Sequence, residues 1–367
     1  MISKNEIDHY ISNYDLKNIQ IGTICSHSAL QIFLGAKQEG FKTFGICLRK
    51  KQFVYEAFPL AKPDNFMLID DYEEILDSTL LRKMIDNNVI IIPHGSFVEY
   101  IGSKSLENTF FIPIFGNRKT LEWEGSRKLQ RLWLEKAGLK LPVVYNNPSE
   151  IDDKVFVKFS GAKGGKGFFT ANSEKEFYEK LNKKIKKGIL RKEDSTNPFI
   201  QEFVSGVRYY PHYFYSQFKN LGLSVREGFL EFLSMDKRVE PIDESYRGLP
   251  DSLEDFYDYT VTGNQSIIVR ESLLSDVLEM GVKTVDTSIN LFPPGILGPF
   301  SLETIYHPNK GFTVFEVSAR IVAGTNLYPH GSPYSFYTFK KPISMGRRIA
   351  IEIKEAIRKK ALERVVS

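Results

Sequence analysis

The chain has 367 residues, 42% of them hydrophobic and 26% charged, with a net charge of +4. That composition is ordinary for a soluble globular protein, and a chain of this length buries about three quarters of its unfolded surface without disulfide or metal staples. The small net charge argues against a dedicated nucleic-acid binder. No apolar run approaches the roughly 20 residues that span a bilayer, so no membrane partner is expected either.

At roughly 150 residues per domain, the length predicts two or three domains. The two cysteines, Cys25 and Cys47, each fall near the end of a predicted strand. They read as buried free thiols of a reducing compartment, and no CxxC metal spacing exists. The opening segment MISKNEIDHYI lacks the apolar core of a signal peptide, so the expected location is the cytoplasm.

Residues 19–48 read as β-α-β. Ile19–Ile24 is a strand, Ser26 or Ser28 can cap a helix, Gly40 ends it, and Thr43–Leu48 is the next strand. Short strands follow at Phe66–Ile69 and Val89–Pro93. This alternation predicts a parallel sheet with helices on its faces, whose ligands bind beyond the carboxyl ends of the strands. The rule points to two loops, Cys25–Ser28 and His94–Phe97. His27 lies between two serines at a strand-to-helix turn, where helix N-terminal amides bind anions. A packed, hydrogen-bonded histidine is the competing reading. Ser96 can supply a hydroxyl to the same ligand.

Residues 121–141 form an amphipathic helix with Leu129, Leu132, Trp133 and Ala137 on one face and Gly138 as its stop. Leu141-Pro142 then opens an α+β region. In Val155–Gly167, VFVKFSGAKGGKG, an apolar strand carrying Lys158 runs into a glycine-rich loop. Gly161, Gly164, Gly165 and Gly167 let backbone amides approach phosphate oxygens, and Lys158, Lys163 and Lys166 offset their charge. The loop is not a Walker A motif, because Lys166 is followed by Gly167. A hairpin turn with solvated lysines fits the loop equally well. Glu174–Lys192 is a lysine-rich solvated helix.

Pro198–Val204 is a strand whose Gln201, Glu202 and Val204 suit a hinge beside an adenine ring. Tyr209–Phe218 and Phe229–Met235 are further strands. Glu231, among apolar neighbours in GFLEFLSMD, needs a partner: a ribose hydroxyl pair, or a buried Arg or Lys. Segments near residues 301–318 form an antiparallel pair. Glu303 and Glu316 then share one face, which is costly unless a cation lies between them. Magnesium takes one or two carboxylates plus substrate phosphates. Ser318 and Arg320 follow Glu316 at strand spacing, and an exposed polar strand face is the alternative. Ile343–Val366 is a helix with a favourable Glu355–Lys359 pair.

Strand lysine, glycine-rich flap, QEFV hinge and paired strand glutamates together resemble the ATP-grasp ligases. TICSHSALQIFLGAKQEGFKT, PHGSF, VFVKFSGAKGGKGFF, YYPHYFYS, VTGN, LRESLL, GPFSLE, FEVSARIVAGTN and GRRIAIEI are similar to one family among them, the archaeal formate-dependent FAICAR (formaminoimidazole-carboxamide ribonucleotide) synthetases. The resemblance runs from about residue 20 to 360. It implies an α/β and α+β fold: an N-terminal parallel-sheet, Rossmann-like domain over residues 1–120, then ATP-grasp subdomains over 121–200 and 201–367.

The implied activity is folate-independent formylation of the aminoimidazole ribonucleotide AICAR by formate and ATP, through formyl phosphate, with ADP and phosphate released. Magnesium, or manganese, is the implied metal, on Glu303 and Glu316. Lys158 and the Gly161–Gly167 flap would hold the ATP phosphates, and Gln201, Glu202 and Val204 the adenine. Arg320 would steady formate or the acyl phosphate; His27, Ser28, Ser96 and Asn264 would bind AICAR. Where the family pattern places a ribose-binding acid after the hinge, Arg208 and Tyr209 stand here, so the ribose role passes to Glu231. Homo-oligomers, hexamers among them, are the implied assembly. A ligase joining another small carboxylate to another amine, or a nucleotide-binding regulator without turnover, are the competing functions.

Overall fold

The structure is a computed structural model, which describes residues 2–159, 168–193, 195, 197–240 and 261–367. Four parallel strands, β1 (Gln20–Ile24), β2 (Lys42–Leu48), β3 (Asn65–Ile69) and β4 (Val89–Ile91), form an N-terminal sheet in the order β3-β2-β1-β4. Ile21, Ile24, Ile46 and Ile91 are fully buried, as befits strands covered on both faces. The helix Ala29–Gln38 starts at Ser28 and ends before Gly40, whose φ of +89° only glycine adopts readily. Cys25 and Cys47 are buried free thiols.

A small antiparallel sheet follows. It contains β5 (Val144–Tyr145), β6 (Val155–Lys158), β7 (Phe169–Ala171) and β8 (Phe199–Glu202) in the order β5-β8-β6-β7. The helix Glu174–Lys186 packs Phe177 and Leu181 into its core and leaves its lysines outside. The large sheet holds β9 (Val207–Ser216), β10 (Leu223–Val225), β11 (Gly228–Val239), β12 (Gly263–Ser266), β13 (Gly298–His307) and β14 (Gly311–Ser318), all antiparallel.

Strand alternation gives the large sheet two unlike faces. Tyr213, Leu230, Phe300, Leu302 and Val317 join Val277 and Val285 of the helix Leu274–Leu291 in one apolar core. At one end of the other face, Phe214 and Leu233 pack against Ile349 and Ile353 of the C-terminal helix Met345–Arg358. The rest of that face is polar. A bulge between Phe232 and Ser234 keeps Asp236 and Arg238 on it.

The C-terminal helix also lies backbone-to-backbone on Ala29–Gln38. A Cβ on Gly35 would fall 2.1 Å from the Arg347 nitrogen, and one on Gly346 would fall 2.2 Å from the Gln31 carbonyl oxygen. Ile114 and Ser367 exchange backbone hydrogen bonds of 2.9 Å in both directions. Among the described residues, no helix is long and apolar enough to cross a membrane.

Two sequence expectations are corrected. The helix expected over 121–141 is two, Lys119–Gly125 and Arg127–Lys136, because Ser126 turns extended and caps the second by accepting from the Leu129 N–H. Its buried face is Gln130, Trp133 and Leu134, while Leu132 is 38% exposed. Glu355 pairs with Lys219 at 3.0 Å and with Arg358 at 2.8 Å rather than with Lys359, which reaches the Phe218 carbonyl.

Candidate active site

Between the small and large sheets lies a cleft lined by Arg127, Arg131, Lys158, Gln201, Phe315 and Glu316, among others. β6 carries Lys158 into it. There burial, with the cation of Arg127 nearby, lowers the Lys158 pKa, while Glu316 acts in the opposite direction. Arg127 donates to the Phe159 carbonyl at 3.3 Å and faces the Phe199 ring. Gln201 sits on β8, opposite Val144. The N–H of Glu202 is spent on the Val143 carbonyl at 2.8 Å, and its carboxylate accepts from the Val143 N–H at 3.2 Å. Val204 is the half-buried residue just past this ladder. Gly161, Lys163, Gly164, Gly165, Lys166 and Gly167 lie outside the described residues.

Glu303 and Glu316 are direct cross-strand partners. Arg238 grips Glu303 with two N–H donors, one at 2.8 Å, and Ser318 Oγ lies 3.3 Å from the same carboxylate. The Glu316 carboxyl is pushed up to about 7, first by burial and then by the Glu303 charge opposite, with Lys158 and Arg238 pulling the other way. Ionised Glu316 therefore lacks a full counter-charge. A divalent cation between the two carboxylates fits this donor set. Among the described residues, no group of three or more His, Cys, Asp or Glu could hold a metal without help. Two carboxylates completed by phosphate oxygens is the arrangement magnesium accepts.

Arg320 continues the row beyond Ser318. It pairs with Glu124 at 3.0 Å, and Glu124 also accepts from the Ala319 N–H at 2.8 Å. Burial raises the Glu124 pKa, against the pull of Arg320. The other side of Arg320 approaches Gly95 and the two strand-end loops of the N-terminal sheet. There His27, at φ +51°, stacks on His94 with ring centroids 5.3 Å apart. His94 is fully buried, lies 2.9 Å from the Ile24 carbonyl through Nε2, and accepts from the Ser96 N–H. Burial holds it down at about 4.

His27 is exposed at the surface, yet its ring stacks among protein atoms. That desolvation, with His94, Arg320 and Arg238 nearby, holds it well below the usual histidine range. Ser28 Oγ lies 2.8 Å from His27 Nδ1 instead of capping its helix, and Ser96 Oγ donates to Ser26 Oγ at 3.0 Å. Asn264 on β12 donates to Asp236 on β11 at 2.7 Å, and β9 separates β11 from the strand of Glu303.

One assignment fails. The Glu231 carboxylate is held by Arg348 at 2.7 and 2.8 Å, both side chains fully buried under the C-terminal helix, where Glu352 shares the guanidinium. It is consumed by the buried arginine and is unavailable to a ribose. Sequence reading missed Arg238, Glu124, His94 and the His212–Asp236 pair. Only alternation along SMDKR hinted at Asp236 and Arg238; the others meet the site through distant segments.

A family model described as a domain of unknown function (DUF1297) matches residues 176–367, and a protein of unknown function (DUF1246) matches residues 21–145. The 5-formaminoimidazole-4-carboxamide-1-(beta)-D-ribofuranosyl 5'-monophosphate synthetase of Korarchaeum cryptofilum is 52% identical, with 100% of both chains covered. The protein of the same name from Methanothrix thermoacetophila is 49% identical over 100% of both. Among solved structures, an IMP biosynthesis protein PurP from Thermococcus kodakaraensis aligns with a TM-score of 0.71 at 32% identity, covering 95% of this chain and 100% of that one. An ADP complex of N5-carboxyaminoimidazole ribonucleotide synthetase, at 12% identity and a TM-score of 0.62, covers 91% of this chain and 76% of that one and shares the fold alone. The fold is that of the ATP-grasp ligases. Within that class, the chain belongs to the family of 5-formaminoimidazole-4-carboxamide ribonucleotide synthetases.

Proposed function

We propose that this protein is an ATP-dependent carbon–nitrogen ligase that formylates AICAR with formate. The observation that carries the reading is one continuous polar face. It runs from Lys158 and the Glu303–Glu316 pair, through Arg320, to the His27–Ser96 loops. A phosphoryl-transfer end and an amine-substrate end thus meet at Arg320, and positioning is most of what such chemistry needs.

ATP lies between the small and large sheets, adenine at Gln201, Glu202 and Val204, phosphates at Lys158 and Arg127. Glu303 and Glu316 hold a magnesium or manganese ion, which supplies charge neutralisation at the phosphates. A formate oxygen bonds to the γ-phosphorus and the bond to the ADP oxygen breaks. Arg320 steadies the resulting formyl phosphate. The AICAR amine, held near His27, Ser28, Ser96 and Asn264, attacks the formyl carbon. Phosphate leaves with the bonding electrons, and the amine loses a proton. The reading includes a cytoplasmic homo-oligomer, with a clamp formed by residues 121–200 and 201–367 against an N-terminal domain over 1–120.

ADP release tests it. With ATP and magnesium present, AICAR and formate are added separately and then together. ADP together with a formylated product only when both are present is the expected result. ADP formation unaffected by AICAR, or no ADP in any combination while ATP still binds, would overturn it.

A further inference from the structure

A buried polar chain on the large sheet has no part in the chemistry described so far. His212 on β9 lies between two residues of β11. Its Nδ1 is 2.7 Å from Ser234 Oγ and its Nε2 is 2.7 Å from Asp236 Oδ1. His212 is 0% exposed and Asp236 is 1% exposed. The second Asp236 oxygen accepts from Asn264 Nδ2 at 2.7 Å. Gly324 closes the remaining side: a Cβ there would fall 2.2 Å from Asp236 Oδ1. A carboxylate this deep is costly unless each oxygen is satisfied, and here each has one donor.

The chemistry of the partners removes an ambiguity. A carboxylate only accepts, so the Asn264 nitrogen must face Asp236. The Asn264 carbonyl oxygen must then point the other way. Asn264 is half-buried and stands directly across from Arg238, the residue that grips Glu303. No described residue donates to its Oδ1. The chain Ser234–His212–Asp236 thus fixes a single oriented acceptor on Asn264, across from the arginine that grips Glu303.

We infer that Asp236, held by His212, is a positioning residue that locks the Asn264 amide so that its carbonyl oxygen accepts an N–H of the amine substrate, the exocyclic amine that becomes formylated. The inference rests on the AICAR reading above. A free amide can turn its NH₂ outward and set donor against donor. The locked one cannot, and it holds the nucleophilic nitrogen with its lone pair turned away from Asn264.

The test uses the full-length protein and AICAR itself. Asp236→Asn is nearly isosteric but lets Asn264 flip. It is expected to raise KM for AICAR about tenfold, while KM for ATP and formate stay within twofold, because one oriented hydrogen bond is lost. Asn264→Ala, at a half-buried position, is expected to do the same. The double variant is expected to be no worse than either single, since the two residues act through one bond. An AICAR analogue without the exocyclic amine should bind wild type and Asn264→Ala equally in calorimetry. An analogue without the carboxamide should keep the penalty.

Additive effects in the double variant, or a rise in KM for ATP instead, would overturn the inference. So would a penalty that follows the carboxamide. Should Asp236→Asn fail to fold, the Asn264→Ala calorimetry with the two analogues decides. Wild-type protein that binds AICAR no better than Asn264→Ala sinks this inference alone; wild-type protein that neither binds nor formylates AICAR sinks the functional reading with it.

Discussion

Replacing Glu316 with Gln should make the ligand-free protein more stable at pH 8, with the gain shrinking steadily toward pH 5. Glu316 is raised from 4.5 to about 7 by burial and by Glu303 opposite. A raised carboxyl favours the folded state while it is protonated. That contribution is complete below the unfolded value near 4.5 and is lost as pH rises through 7. A difference of that size corresponds to about 3 kcal/mol. Above pH 7 the wild type carries a buried charge opposed by another, whereas the neutral amide of the Glu316→Gln variant carries none. For a chain of this length that is a rise in Tm of roughly 5 °C. Differential scanning fluorimetry of both proteins from pH 5 to 8, without nucleotide or divalent metal, measures it. A difference that stays flat across the range, or a variant less stable at pH 8, would refute the reasoning.

Other outcomes follow from the same geometry. Glu316→Gln should lose turnover by roughly a hundredfold or more while still binding ATP, because the lost ligand serves the transferring phosphoryl group; coupled ADP assay and calorimetry separate the two. Arg320→Lys keeps the charge but loses the planar fork beside Glu124, and should cut kcat by roughly a hundredfold with ATP affinity unchanged. Gly35→Ala would drive a methyl into the Arg347 backbone and should cost roughly 1–3 kcal/mol or more in a urea titration. Arg348→Met leaves Glu231 and Glu352 buried without a cation and should cost about 3–5 kcal/mol in the same measurement.

Much of the framework was legible because its signals are local. Ile19–Ile24 is a short isoleucine-rich segment leading into serines at 26 and 28, and it is found as a strand of the parallel sheet one residue shorter. The β13–β14 hairpin needed only alternation and a short turn to set Glu303 opposite Glu316. Ser126 was a cap hidden inside an amphipathic pattern, and its reading as mid-helix failed because a serine after glycine competes for the backbone. Glu231 was recognised as a buried acid in need of a partner, but the partner lies 117 residues away on the C-terminal helix. His212 and Asp236 could not be paired from sequence, since the bulge between Phe232 and Ser234 shifts the phase of β11 before Asp236. Local period reaches only as far as the next irregularity.

The glycine-to-glycine seam between Ala29–Gln38 and the C-terminal helix has a mechanical consequence. Backbone pressed against backbone leaves no side chains to slide or repack, so the N-terminal sheet, the C-terminal helix and the large sheet behind it are braced into a single block. The small sheet is moored more lightly, through links such as Arg127 to the Phe159 carbonyl and Lys310 to Glu202. Any tightening around a bound nucleotide then falls to the small sheet, which carries Lys158.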